Sequence, residues 1–215
     1  MPRKRESYFL YIVESPSGGD LFSQQTEGNL LLEGLRLAQV PSPINTRLKY
    51  RLVVNEESFD RAMLVELPAI LKELRGVTPI LHLSMHGDTS GLQLTDNTDI
   101  SWKEFGKLLC DLNKDFANGK LIVCVSACKG IYGGMMQLDD RRKRPFKALI
   151  GPWNEPLWAD AAVAYLTFYH LLMNKGRSLK TSVEAMKMAS GNKKFDYVTP
   201  DSLLASVRHQ LKKRD

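Results

Sequence analysis

No apolar stretch in the 215 residues approaches the roughly 18 that a membrane-spanning helix needs, so no membrane partner is expected. The first twenty residues begin Met-Pro-Arg-Lys-Arg and lack the apolar region and small-residue cleavage site of a secretory leader, which points to a cytoplasmic protein. Cysteine is scarce: Cys110, Cys124 and Cys128 are odd in number and lack C-x-x-C spacing, so reduced thiols are expected rather than a disulfide framework. Phosphate-cradling motifs are missing too. Ser15-Pro16-Ser17-Gly18-Gly19 follows the first strand signal but matches neither G-x-G-x-x-G nor a Walker loop, and no cofactor is expected. There is no G-x-S-x-G elbow, and Ser126-Ala127-Cys128-Lys129 fits S-x-x-K only without the partner motifs that give that pattern meaning.

Charge of one sign is also less abundant than the net +6 suggests. The excess sits in two basic tails, 1–6 (Arg3, Lys4, Arg5) and 208–215 (Arg208, Lys212, Lys213, Arg214), and in the run Arg141–Arg144. The body between them is nearly neutral. A nucleic-acid binder carries its positive stripe on the folded surface, interleaved with aromatics, so this distribution argues against nucleic acid as partner. A scaffold binding DNA or RNA through its tails would instead show strong salt dependence, lost on trimming. A hydrophobic fraction of 43% with 25% charged residues excludes disordered and coiled-coil classes. A chain of this length buries roughly 70% of its surface, enough for one self-sufficient domain over 1–215.

What is present alternates between strand and helix signals. Tyr8–Val13 is a near-continuous apolar run of the kind found in a doubly covered strand, followed by a helical stretch over 28–39 with Leu31, Leu35 and Ala38 on one face. Leu48–Val54 reads as a strand. Ser58 is placed to cap a helix that Pro68 kinks or divides. Ile80–Ser84 reads as a third strand, and Leu92–Leu94 with Asp99-Ile100 as a hairpin about Asp96-Asn97. Ser101 and Glu104 form a capping box for a helix striped by Trp102, Phe105, Leu109 and Leu112. Leu121–Ser126 and Phe146–Ile150 read as further strands, separated by a polar loop over 131–146. Helices over 156–173 and 178–190 follow. Such alternation predicts an α/β fold with a mostly parallel sheet covered on both faces.

In such sheets ligands collect beyond the carboxyl ends of the strands. His86 is placed just after the third strand and Cys128 just after the fourth. If those strands are neighbours, ~4.8 Å apart, a thiol and an imidazole share one rim and make a nucleophile with its acid–base partner. The backbone N–H groups of Gly87 and Cys128 are then candidate oxyanion donors. A lone Cys is ordinarily a small buried hydrophobe and a lone His a satisfied polar residue, so Cys110 and Cys124 are expected in the core, and His82 inside the third strand, His170 on the buried helix and His209 near a frayed end are expected to be structural. A zinc site from His82, His86, Cys124 and Cys128 is rejected, because four residues of strand span ~13 Å and cannot converge on one ion; no metal is expected.

The segments Ile80–Gly87 (Ile-Leu-His-Leu-Ser-Met-His-Gly) and Leu121–Gly130 (Leu-Ile-Val-Cys-Val-Ser-Ala-Cys-Lys-Gly) resemble the His-Gly and Ser-Ala-Cys segments of caspase-like clan CD peptidases, most closely CHAT domains. Gly91–Leu94, the helix from Trp102, Trp153–Asp160 and Ala162–Ala189 are similar to the connecting and closing segments of that family, so the resemblance covers roughly 78–190. It implies a caspase-hemoglobinase-like three-layer sandwich and cysteine endopeptidase activity, with His86 and Cys128 as the dyad, no third acid required and Asp88 only a turn residue. It also implies a pocket for the residue preceding the scissile bond, walled by Glu14, Ser15, Ser126 and Trp153, with Glu14 suited to a basic side chain. The implied partners are a protein or peptide substrate and an activating partner protein. The implied setting is regulated cleavage in bacterial antiviral defence or cell death, by a stand-alone bacterial member. A caspase-like interaction module that leaves the dyad unused is the alternative.

Overall fold

Tyr8–Ser15 (β1) and Thr78–Gly87 (β3) are apolar on both faces of the pleat, and both lie in the middle of one sheet because only a doubly covered strand can bury them. The computed structural model describes residues 6–37, 47–74 and 76–212. Arg47–Leu52 (β2), Ile122–Ser126 (β6), Ala148–Pro152 (β7) and Phe195–Val198 (β8) complete the main sheet, in the order β2-β1-β3-β6-β7-β8. All pairings are parallel except β7 with β8. The hairpin of Gly91–Gln93 (β4) and Asp99–Ser101 (β5) pairs with the last two residues of β3.

Helices cover both faces. On one side lie Glu56–Asp60 (α3), Leu67–Glu73 (α4), Trp102–Asp111 (α5) and Met136–Asp139 (α6). They pack Phe59, Leu67, Phe105 and Leu109 against Phe9, Tyr11, Val13, Leu81 and Val123. On the other lie Glu27–Leu37 (α2), Trp158–Tyr169 (α7) and Leu179–Ser190 (α8), whose Leu31, Tyr165, Phe168 and Val183 cover Leu10, Ile12, Ile80, Ile122 and Ile150. Gly18–Phe22 (α1) follows β1 over the carboxyl rim, and Pro200–Lys212 (α9) closes the described chain. The three layers match the α/β sandwich expected from the sequence.

Several elements depart from expectation for local reasons. The cap of α3 is Asn55, with Ser58 answering it from the third helical position. Pro68 sits at the start of α4 after a π-helical stretch over Arg61–Glu66, so the helix is re-phased there rather than broken. β3 extends past Ser84 to Gly87, because β4 supplies new pairing partners for His86 and Gly87. The segment expected to be a polar loop carries a 3₁₀ turn at Gly130–Met135 and then α6, burying Ile131, Met136 and Gln137. Met135 and the Asp139–Arg144 portion are exposed. Cys110 is half-buried rather than core. Residues 208–212 continue α9, whereas Ala38, Gln39, residues 1–5 and 213–215 lie outside the described residues.

Candidate active site

The register of β1, β3 and β6 organises the site in rows. Leu10, Ile80 and Ile122 form one row on the α2/α7 face; Ile12, His82 and Cys124 form the next, and Glu14, Ser84 and Ser126 the one above. Side chains alternate along a strand, so each step of two residues stays on the same face. The sheet thus grades from aliphatic to polar toward its carboxyl rim. His86 and Cys128, one further step up each strand, stand at the end of the series.

They line one cleft of about 260 Å³ together with Ser126 and an apolar wall that includes Met85, Leu157, Trp158 and Ala161. His86 packs edge-on to the Trp158 ring at 5.8 Å between centroids. Its Nε2–H donates to Asp20 Oδ2 at 2.6 Å, since a carboxylate can only accept. That leaves Nδ1 as the ring nitrogen free for chemistry. Asp20 is fixed in turn by the capping box of α1, in which Ser17 Oγ and Ser17 N both donate to the same oxygen, at 2.6 and 3.1 Å. Burial works against the Asp20 charge, but the bonds from Ser17 and His86 outweigh it and hold the carboxyl below its ordinary range. The sequence reading required no acid here. The structure supplies one.

Cys128 is half-buried at the turn after β6. Burial pushes its thiol up, Glu155 adds to the rise, and Lys129 works against it. Lys129 adopts the left-handed conformation (φ 56°), and its N–H donates to Asn154 O at 2.8 Å, tying the 153–157 loop to the nucleophile turn. Gly130 follows because a Cβ there would lie 2.6 Å from Val125 O. His86 and Cys128 have no direct hydrogen bond to each other among the described residues. The Asp88 N–H donates to Gly91 O, so by the alternation of an antiparallel ladder the Gly87 N–H faces away from β4. Asp88 itself accepts from Ser90 N and Gly91 N as a turn residue. A second trough of about 540 Å³ runs from His86 along the hairpin, past Asp88, Asp99 and Glu104.

The structure does not bring the rest of the expected pocket to this cleft. Glu14 is buried within β1, not in the loop after it, and its carboxylate accepts from Gly28 N at 2.7 Å, Asn29 N at 3.1 Å and Tyr50 Oη at 2.8 Å. The start of α2 offers unpaired N–H groups and a positive dipole end, and it captures the carboxylate. Burial nonetheless leaves the Glu14 carboxyl above its usual range. Ser15 is buried and bonded to Thr95. Trp153 packs on Tyr132 and donates toward Asp196, outside the cleft wall. Of the four, only Ser126 lines the cleft.

Beneath the floor lies Glu27, accepting from Ser84 Oγ at 2.6 Å and Ser126 Oγ at 2.9 Å. His82 is fully buried there; its Nδ1 meets Tyr169 Oη at 2.7 Å, and its Nε2, 3.6 Å from Glu27, has no hydrogen-bond partner among the described residues. Among the described residues no cluster of three or more His, Cys, Asp or Glu side chains could hold a metal, and no helix is long and apolar enough to cross a membrane.

No family model and no curated protein matches the sequence. Solved structures do match the fold. A secreted C11 cysteine protease from Bacteroides thetaiotaomicron superposes with a TM-score of 0.61 at 13% identity, over 91% of this chain and 66% of that one. The Drosophila initiator caspase Dronc gives 0.53 at 10% identity, over 91% of this chain and 82% of that one. The Arg-specific cysteine proteinase gingipain R gives 0.52 at 14% identity, over 87% of this chain but only 43% of the proteinase. The chain thus spans less than two thirds of the first two protease chains it resembles, gingipain R and the C11 enzyme. Its fold is the caspase-like α/β fold shared by these cysteine proteases.

Proposed function

We propose that the chain is a caspase-like cysteine endopeptidase in which Cys128 is the nucleophile, His86 the acid–base group and Asp20 the residue that positions His86. The observation that carries this reading is the single cleft onto which His86 and Cys128 both open, at the ends of adjacent parallel strands. The CHAT assignment, a stand-alone bacterial identity and a setting in defence or cell death rest on the segments within 78–190 and belong to the same proposal, as do a protein substrate and an activating partner.

The chemistry follows from the protonation states. Burial and Glu155 keep Cys128 mainly as the thiol near neutrality. His86 Nδ1 therefore takes the thiol proton as sulfur attacks the peptide carbonyl carbon. The carbonyl electron pair moves to oxygen, which the Gly87 and Cys128 N–H groups receive. When the tetrahedral species collapses, the C–N bond breaks and the imidazolium returns its proton to the departing amine. Water then attacks the thioester, His86 takes its proton, the C–S bond breaks and the thiol is restored. Asp20 holds Nε2 protonated, which leaves Nδ1 to carry the proton in each step. The leaving half of the substrate passes His86 into the hairpin trough.

A degenerate peptide library, read by mass spectrometry, tests the reading. Cleavage by the full chain is expected to vanish in Cys128→Ala and His86→Ala, with circular dichroism unchanged. Cleavage that survives either substitution would overturn it.

A further inference from the structure

We infer that the cleft beside Cys128 receives an uncharged side chain of Leu or Met size, that of the residue whose carbonyl is attacked. This rests on the proteolytic reading above and names its substrate class. Met85, Ala127, Leu157, Trp158 and Ala161 give the cleft apolar walls. Its polar side chains are His86, Cys128 and Ser126, and among the described residues no Lys, Arg, Asp or Glu lines it. Two of the three polar groups are reserved for chemistry. The third, Ser126 Oγ, already donates to Glu27.

Each nearby carboxylate is occupied elsewhere. Glu27 stands behind Ser126 with both oxygens taken by serine hydroxyls, Glu14 caps α2, Asp20 holds His86, and Glu155, beside Cys128, pairs with Lys129 at 3.0 Å. A guanidinium or carboxylate entering the cleft would lose its water and find no opposite charge, which costs more than any apolar contact returns. An aliphatic side chain meets no such cost. It covers Leu157, which is 72% exposed, and packs on Ala161 and the Trp158 ring.

The test uses the full chain and four acyloxymethyl ketones on one tripeptide, differing only in Leu, Met, Arg or Asp at the reactive position. The rate of adduct formation at Cys128 is read by mass spectrometry. The Leu and Met reagents are expected to react at least tenfold faster than the other two, in line with the discrimination a hydrophobic pocket achieves. Faster reaction with Arg or Asp, or equal rates for all four, overturns the inference and leaves proteolysis standing. If no reagent modifies Cys128, both fall. A second variant keeps the wall itself under test. Leu157 occupies the cap position of α7 and contributes no capping bond, so Leu157→Asp puts a favourable capping side chain there and leaves the helix able to form. The variant Leu157→Glu, whose longer side chain is a poor cap and reaches past the helix end, instead brings a free carboxylate to the cleft, and its Leu-to-Arg rate ratio is expected to fall at least fivefold while Leu157→Asp controls for folding. An unchanged ratio overturns the inference.

Discussion

The substitution Asp20→Asn isolates the contribution of one charge. A single oxygen, Oδ2, accepts from His86 Nε2, Ser17 Oγ and Ser17 N, so an asparagine carbonyl in that place keeps all three bonds and loses only the negative charge. Charge-assisted hydrogen bonds contribute ~1.5–3 kcal/mol and neutral ones ~1 kcal/mol. The His86 side chain is 40% exposed and that of Asp20 14%, so solvent screening places this pair at the low end of the range. The difference is about 0.5 kcal/mol, or roughly twofold in rate, because the same bond stabilises the imidazolium that forms during attack. The assay is the second-order rate of Cys128 modification by the Leu acyloxymethyl ketone, with a thermal melt of each variant. Asp20→Asn is expected to react roughly twofold more slowly at an unchanged melting temperature. Asp20→Ala should be slower still and also less stable, since the α1 cap is lost with it. A rate equal to the parent's in both variants would reduce Asp20 to a helix-capping residue and refute the positioning role.

Further outcomes follow from the same geometry. Gly130→Ala should destabilise the chain by about 1–3 kcal/mol in urea unfolding, because the new Cβ meets Val125 O at 2.6 Å and backbone cannot swing aside. Glu66 carries a stability signal in pH. Burial raises its carboxyl, but bonds from Arg51 and Tyr11 outweigh this and hold it below its ordinary 4.5. A depressed folded-state value contributes stability that is present above 4.5 and lost as pH falls through the folded-state value. The destabilisation of Glu66→Gln should therefore be full at neutral pH and fade on acidification, as read from melts across a pH series; a constant difference would contradict the ion-pair account.

The sequence disclosed His86 and Cys128 because each terminates an apolar run, and parallel pairing of Ile80–Ser84 with Ile122–Ser126 sets them side by side. Asp20 was hidden for a different reason. It lies 66 residues before His86, on a five-residue helix without buried side chains, and nothing local distinguishes it from a solvated cap. Glu14 misled because its position near the rim is legible while its partner, the start of α2, is a tertiary fact. The 3₁₀ turn after Cys128 was obscured by its three glycines, which are there to let backbone pass close to Val125, Leu149 and Val198. β8 is only four residues long and carries Asp196, too short for alternation to stand out.

The most direct measurement is a crystal structure of the full chain with a Leu-terminated peptide aldehyde. The account predicts a bond from Cys128 Sγ to the former carbonyl carbon, with the oxygen within ~3 Å of the Gly87 nitrogen and the leucine side chain against Trp158. An adduct on Cys110, or a hemithioacetal oxygen turned away from Gly87 with His86 uninvolved, would contradict it.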